Sequence, residues 1–100
     1  MSFKIKLLPA ARRDVKEIID WYNSQKAGLG KKFYQSLKLR LTNIKKNPKH
    51  YQVSYRGTRN TLINRFPYQV HYWIEETPKL IIVFGVTHTS RNPNIWKNRK

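Results

Sequence analysis

Two adjacent stretches with different hydrophobic patterns most constrain the fold of this chain. In residues 66–74 the even positions carry Phe66, Tyr68, Val70, Tyr72 and Ile74, whereas the odd positions are mostly polar. Side chains of a strand alternate between its two faces, so this pattern predicts a strand with one face in the core and the other towards solvent or a ligand. Residues 80–86 are apolar almost throughout and rich in β-branched residues, which predicts a central strand covered on both faces. The short polar link 75–79 predicts that the two strands form an antiparallel hairpin.

The rest of the chain predicts two helices and three further strands. Residues 3–7 alternate as a strand does, and Pro9 then suits the first turn of a helix because its missing N–H has no partner to lose. Weak helix formers in residues 23–28 end this helix, and a second runs from about Leu29 to Asn47, before Pro48. The apolar stripes at helical spacing are Ala11, Val15, Ile18 and Tyr22 in the first helix and Phe33, Leu37, Leu41 and Ile44 in the second.

Short alternating strands are predicted at residues 51–55 and 59–65. The order β-α-α-β-β-β-β predicts one α+β domain over residues 1–100. In it, an α-helical hairpin packs on one face of a mostly antiparallel sheet.

The charge of the chain predicts its partners. Lysine and arginine number 21 against five acidic residues, for a formal net charge of +16. This excess predicts binding to nucleic acid, a nucleoprotein or an acidic protein. The absence of cysteine excludes disulfides and thiolate metal sites. Because no apolar run approaches about 20 residues and no secretory h-region is visible, we expect a cytoplasmic protein without a membrane anchor. The scattered histidines and acids predict no metal site and no cofactor.

Several motifs, in their order along the chain, resemble the RelE/ParE superfamily, the toxins of bacterial type II toxin–antitoxin modules. The likeness covers nearly the whole chain. Its most specific parts are Arg-Phe-Pro-Tyr-Gln-Val-His-Tyr at residues 65–72, Val-Thr-His at 86–88, and Arg-Asn-Pro at 91–93 followed by Trp96 and Arg99. The resemblance implies the β-α-α-β-β-β-β fold and growth arrest. It also implies neutralisation by the acidic or amphipathic segment of a cognate antitoxin in a hetero-oligomer. For that antitoxin we predict a docking surface formed by the helical hairpin and the sheet edge.

The resemblance implies one of two targets. RelE-like members cleave mRNA on the ribosome, and ParE-like members inhibit DNA gyrase. Cleavage of RNA needs a group that takes the 2′-hydroxyl proton, a group that protonates the leaving oxygen, and positive charge on the phosphorane. The ribonuclease branch supplies lysines and arginines on its middle strands and an arginine after the last strand. Arg91 matches that last arginine, but Gln69 stands where a strand arginine is expected, and residues 59–66 contain no lysine.

We therefore predict a ParE-like gyrase inhibitor. The first alternative is a RelE-like ribosome-dependent mRNA endonuclease, and the second is a non-toxic basic nucleic-acid-binding module. An endonuclease would use Arg91 with Arg65 and with His71 or His88, whose ordinary pKa suits proton transfer near neutral pH. The residues predicted to contact the target or nucleic acid are Arg59, Gln69, Trp96, Lys97 and Arg99. Structural roles stay open for the histidines as hydrogen-bonded residues, for Arg91 as a clamp and for Trp96 as a packing residue.

Overall fold

The computed structural model describes residues 3–90, and its elements follow the predicted order. The elements are β1 (Lys4–Leu7), α1 (Pro9–Gln25), α2 (Leu29–Lys46), β2 (Arg59–Leu62), β3 (Tyr68–Glu75) and β4 (Leu80–His88). The strands lie in the order β1-β4-β3-β2, with β1 parallel to β4 and the other pairs antiparallel. This mixed sheet with two helices confirms the α+β prediction, and the β3–β4 hairpin is confirmed as well.

The strand β4 lies in the middle of the sheet, as its apolar run predicted. It pairs with β1 on one side and with β3 on the other, and its residues from Ile81 to Thr87 are all buried. One bulge interrupts the pairing with β3: His71 lies opposite Gly85 and Tyr72 lies opposite Val83. The intervening residue of β4 is therefore the extra residue of a β-bulge.

Both helices bury their predicted stripes against one face of this sheet, except that Leu41 of the α2 stripe is only partly buried. The shared core contains Ala11, Val15, Ile18 and Tyr22 from α1, Phe33, Leu37 and Ile44 from α2, and Val70, Tyr72, Ile81, Val83 and Val86 from β3 and β4. Phe66 and Tyr68 pack against this core and stack edge-on against Tyr22 and Phe33, so their predicted core placement is confirmed. The helices thus define one covered face of the sheet and leave the other face to a different set of side chains.

The two helices meet at Gly30. A Cβ atom built at this position would lie 2.6 Å from the backbone oxygen of Ile19 and 2.7 Å from the side-chain oxygen of Asn23. That same Asn23 oxygen accepts a hydrogen bond from the Gly30 N–H at 2.9 Å. Only glycine therefore allows α2 to begin this close to α1.

Asp14 attaches α1 to the far half of β4. Its Oδ2 atom accepts a hydrogen bond from the backbone N–H of Val86 at 3.0 Å. The strand β1 reaches along β4 only as far as the pair Leu7–Val83, so it offers no acceptor to Val86. The carboxylate of Asp14 supplies that acceptor, because a buried backbone N–H without a partner would destabilise the fold.

Residues 51–55 contribute less to the sheet than their alternation predicted. Only Val53 forms a bridge, opposite Arg59, and a 3-10 turn (Tyr55–Gly57) follows. The guanidinium of Arg59 binds the backbone oxygens of Lys49 and Tyr51, and these carbonyls therefore point at a side chain instead of a strand.

Two other strand predictions need correction. The predicted strand 59–65 ends at Leu62, because Arg65 has a left-handed backbone conformation with φ 70° and lies in the turn between β2 and β3. The polar face of β3 does not simply face solvent, since His71 is only 1% exposed.

Candidate functional site

The candidate site is the face of β2, β3 and β4 opposite the helices. Residues paired across an antiparallel sheet share a face, so the pairs Asn60–His71, Leu62–Gln69 and Gln69–Thr87 all lie on this side. The alternating pattern of the sequence predicted that Gln69 and His71, at odd-numbered positions of β3, lie on this face. The structure adds Asn60, Leu62 and Thr87 to them.

The polar side chains on this face bind one another. The Asn60 side-chain amide donates a hydrogen bond to Gln69 Oε1 at 2.7 Å. The His71 Nε2 atom lies 2.8 Å from the Thr87 hydroxyl, and both residues are buried. The His71 ring also packs against Phe84, with ring centroids 5.8 Å apart. These bonds satisfy polar groups within the sheet, which supports the structural role considered above for His71.

This face carries no formal positive charge on its three strands. Throughout β2, β3 and β4, which are described in full, no lysine or arginine side chain lies on the side opposite the helices. The one arginine of these strands, Arg59, pairs with Tyr72 and lies on the helix side. Amide and hydroxyl groups can donate hydrogen bonds, but they do not neutralise the charge of a phosphorane as lysine or arginine does.

The residues proposed for an endonuclease are not brought together within residues 3–90. Arg65 is exposed in the β2–β3 turn. His88 pairs with Tyr68 on the helix side, where the two ring centroids are 5.1 Å apart, whereas His71 lies on the opposite face. The His88 Nδ1 atom accepts a hydrogen bond from the Ser90 N–H at 3.0 Å. Arg91 lies outside the described residues, so a catalytic role for these four residues stays a prediction.

Of the residues predicted to contact a target, Arg59 has a structural task in the fold. One of its terminal nitrogens donates hydrogen bonds to the backbone oxygens of Lys49, at 3.2 Å, and Tyr51, at 2.7 Å. Gln69 is half-buried and bonded to Asn60. Trp96, Lys97 and Arg99 lie outside the described residues. Their role as contacts stays a prediction.

A buried tyrosine holds the same loop as Arg59. The Tyr72 hydroxyl donates a hydrogen bond to the Pro48 carbonyl at 2.7 Å, and the side chain is fully buried. Burial raises the pKa of Tyr72 to about 12, against the opposing effect of the nearby Arg59 charge. The sequence placed Tyr72 in the core but did not give its hydroxyl a partner. Because a buried tyrosine hydroxyl usually has a hydrogen-bond partner, the predicted burial of Tyr72 already indicated that such a partner exists.

Arg40 completes the attachment of this loop. A terminal nitrogen of Arg40 donates a hydrogen bond to the Tyr51 hydroxyl at 3.2 Å, and its guanidinium lies 5.6 Å from the centre of the Tyr51 ring. The loop from Pro48 to Tyr51 is therefore held by three side chains, from α2, β2 and β3. Sequence patterns did not single out this arrangement.

Two further properties bear on function. Within residues 3–90, no three histidine, aspartate or glutamate side chains come close enough together to hold a metal ion. The helices in the same part of the chain are too short or too polar to cross a membrane.

Comparison with known families distinguishes a toxin from a basic nucleic-acid-binding module. The family model described as the ParE toxin of the type II toxin–antitoxin system, parDE, matches residues 5–93. The chain belongs to the ParE toxin family. It is therefore the toxin of a type II toxin–antitoxin system, and its partner is a cognate antitoxin. This confirms the resemblance seen in its motifs and decides against a non-toxic nucleic-acid-binding module.

Solved structures support the ParE fold. The chromosomal ParDE system of P. aeruginosa matches with a TM-score of 0.75 and 18% identity, covering 86% of this chain and 95% of that one. A mutant of the E. coli toxin RelE in the free state matches with a TM-score of 0.63 and 17% identity, covering 90% of this chain and 86% of that one. The RelBE2 toxin–antitoxin complex of Mycobacterium tuberculosis matches with a TM-score of 0.58 and 15% identity, covering 88% of this chain and 99% of that one. A search of curated protein sequences finds no match.

Proposed function

We propose that this ParE-family toxin arrests growth by binding DNA gyrase and that it does not cleave RNA. The observation that carries this proposal is that β2, β3 and β4 place no lysine or arginine on their face opposite the helices. Where the ribonuclease branch of the superfamily places basic residues, this chain has Asn60 and Gln69 bonded to each other and His71 bonded to Thr87.

The chemistry of RNA cleavage explains why this difference supports the proposal. Removing a single hydrogen-bond donor that stabilises a developing negative charge lowers kcat about 10²- to 10³-fold in enzymes. A site without any lysine or arginine on its strands would lack several such interactions at once. The polar side chains on this face instead form hydrogen bonds with one another. Such an arrangement suits a rigid surface for protein contact better than a catalytic centre.

The cognate antitoxin needs a surface of its own. The apolar stripes of the helices are buried against the sheet, so they are not available to a partner. The helical hairpin nevertheless exposes three large apolar side chains, Trp21, Tyr34 and Leu39, among many lysines. We propose that an acidic, amphipathic antitoxin segment covers this outer surface. Toxin and antitoxin would then form a hetero-oligomer in the cytoplasm, where gyrase acts on DNA.

Induction of the chain in growing cells tests the target. We expect chromosomal DNA breaks that depend on gyrase, together with intact mRNA by primer extension. The Arg91→Ala variant is the control for the nuclease alternative. Cuts at defined codons that disappear in Arg91→Ala, without DNA breaks, would establish the RelE-like endonuclease and refute the proposal.

A further inference from the structure

A cleft of about 290 Å³ opens on the helix side of the fold, between the end of α2 and the β3–β4 turn. The proposed gyrase contact does not use it. The lining residues that matter for its chemistry are Phe3, Lys46, Pro48, Lys49, Glu76 and Lys79. They come from three separate segments, so the cleft exists only in the folded chain.

The lining is strongly positive. Three ammonium groups face one carboxylate, that of Glu76, which forms an ion pair with Lys49 at 3.0 Å. Both side chains of this pair are about 60% exposed, with values of 61% and 59%, so the pair contributes little to stability and can exchange its partner. The Lys79 ammonium lies 5.8 Å from the centre of the Phe3 ring. The lining therefore has a net positive charge, which an anion from outside the chain can neutralise.

Hydrogen bonds from elsewhere in the fold fix the walls of the cleft. The Tyr72 hydroxyl holds the Pro48 carbonyl at 2.7 Å, and Arg59 holds the Lys49 carbonyl at 3.2 Å. On the other side, the Lys4 N–H donates to the Lys79 carbonyl at 3.1 Å. The lysine side chains thus extend from backbone that is already in place, which lowers the entropic cost of binding a ligand.

The type of cation indicates the type of anion. The planar fork of arginine binds carboxylates and phosphates alike through two parallel hydrogen bonds, and none of the lining residues described within 3–90 is an arginine. Lysine acts as a point charge, which suits the phosphates of a nucleic-acid backbone, where direction matters less than charge. Lys45, which precedes Lys46 in the last turn of α2, adds a further positive charge next to the lining residues in sequence.

We propose that this cleft binds backbone phosphates of duplex DNA. This rests on the proposed function, because a toxin bound to gyrase lies next to the DNA that gyrase holds. Glu76 competes with the phosphate for Lys49 and so weakens the site. The cleft supplies a contact to DNA that is separate from the contact to the enzyme.

A pair of matched variants tests the role of Glu76. Glu76→Gln and Glu17→Gln each remove one exposed carboxylate and raise the net charge equally, but Glu17 lies on α1, away from the cleft. Fluorescence anisotropy with a short labelled DNA duplex measures the affinity of the purified chain without gyrase. We expect Glu76→Gln to bind about 2- to 5-fold more tightly than Glu17→Gln. Because a gain of affinity does not arise from misfolding, equal affinities would overturn the proposal.

A second pair tests the lysines. One variant replaces Lys46, Lys49 and Lys79 with glutamine. Its control replaces Lys26, Lys31 and Lys32, which are exposed near the other end of α2; Lys32, 14 residues before Lys46, is about 21 Å from it along the helix. The affinity is measured between about 50 and 200 mM salt. We expect the cleft variant to lower the slope of log affinity against log salt by about 1 to 2 and the control to change it far less. Equal slopes would show that net charge alone binds DNA.

Three further measurements distinguish DNA from other ligands and test the cleft separately from the gyrase target. If the cleft variants change binding of a glutamate-rich peptide but not of the duplex, the cleft is a peptide site and the proposal fails. Tighter binding of an RNA duplex than of DNA would refute the assignment to DNA. If the cleft variants alter DNA binding while wild-type chain leaves gyrase active, the cleft inference stands and the gyrase target fails.

Discussion

Replacing Tyr72 with phenylalanine tests the attachment of the loop that forms one wall of the cleft. The substitution keeps the buried ring and removes only the hydroxyl that donates to the Pro48 carbonyl at 2.7 Å. An acceptor left unsatisfied in the interior costs about 1 to 3 kcal/mol. We expect a loss of about 1 to 2 kcal/mol at pH 7, which lowers Tm by about 5 to 10 °C in a domain of this size.

The pH dependence of this loss gives a sharper test. Burial raises the pKa of Tyr72 from 10.0 to about 12, so the folded chain keeps a proton that the unfolded chain loses above pH 10. The stabilisation from neutral Tyr72 is therefore complete below pH 10 and disappears as the pH rises towards 12. Linkage predicts that this titration removes about 1 kcal/mol of stability from the wild type at pH 11, a loss that Tyr72→Phe does not share.

Urea unfolding followed by tryptophan fluorescence measures both effects. The difference between wild type and Tyr72→Phe should be about 1 to 2 kcal/mol at pH 7 and close to zero at pH 11. Taking this difference cancels the titration of the many lysines, which both proteins share. Tyr34→Phe is the matched control, because it removes the same hydroxyl group from a tyrosine that is 45% exposed. A difference that stays constant from pH 7 to pH 11 would refute the buried, proton-retaining Tyr72.

Three other substitutions have defined outcomes. Gly30→Ala should lower the unfolding free energy by about 1 to 3 kcal/mol in urea, because its Cβ would meet the fixed backbone oxygen of Ile19. Asp14→Leu should lower the unfolding free energy by about 1.5 to 3 kcal/mol in thermal unfolding. Asp14→Asn should lower it clearly less, because an amide oxygen still accepts the hydrogen bond from Val86. Equal losses for the two variants would contradict this hydrogen bond. Arg65→Gly should raise stability by up to about 1 kcal/mol, because φ is 70° there, and should leave growth arrest intact on induction; loss of arrest would give Arg65 a functional role.

Local patterns predicted the elements of this fold because the burial of one face imposes a period on the sequence. The stripe from Ala11 to Tyr22 and the apolar run of β4 both reflect where neighbouring elements pack, and both appear in the core. The motif at residues 65–72 predicted the family, which the match over residues 5–93 confirms. The helix stripe and the apolar strand can be predicted because the same kind of contact recurs at regular intervals along each of them.

The remaining features depend on single contacts between distant residues. Residues 51–55 alternate as a strand does, but Arg59 binds the carbonyl of Tyr51 and only Val53 pairs. Nothing in the local pattern of β3 shows that His71 is buried and bonded to Thr87, a residue 16 positions away. The fixed walls of the cleft likewise depend on Tyr72, which the sequence assigned only to the core, and on Arg59, which it assigned to a target contact.

Supercoiling of relaxed plasmid by purified gyrase, titrated with the purified chain, tests the proposed target most directly. The proposal predicts that supercoiling stops once the toxin matches gyrase in concentration, that linear DNA accumulates, and that adding the cognate antitoxin first prevents both effects. Undiminished supercoiling with the toxin in large excess would contradict it, and cutting of ribosome-bound mRNA by the same preparation would assign the toxin to the other branch of its superfamily.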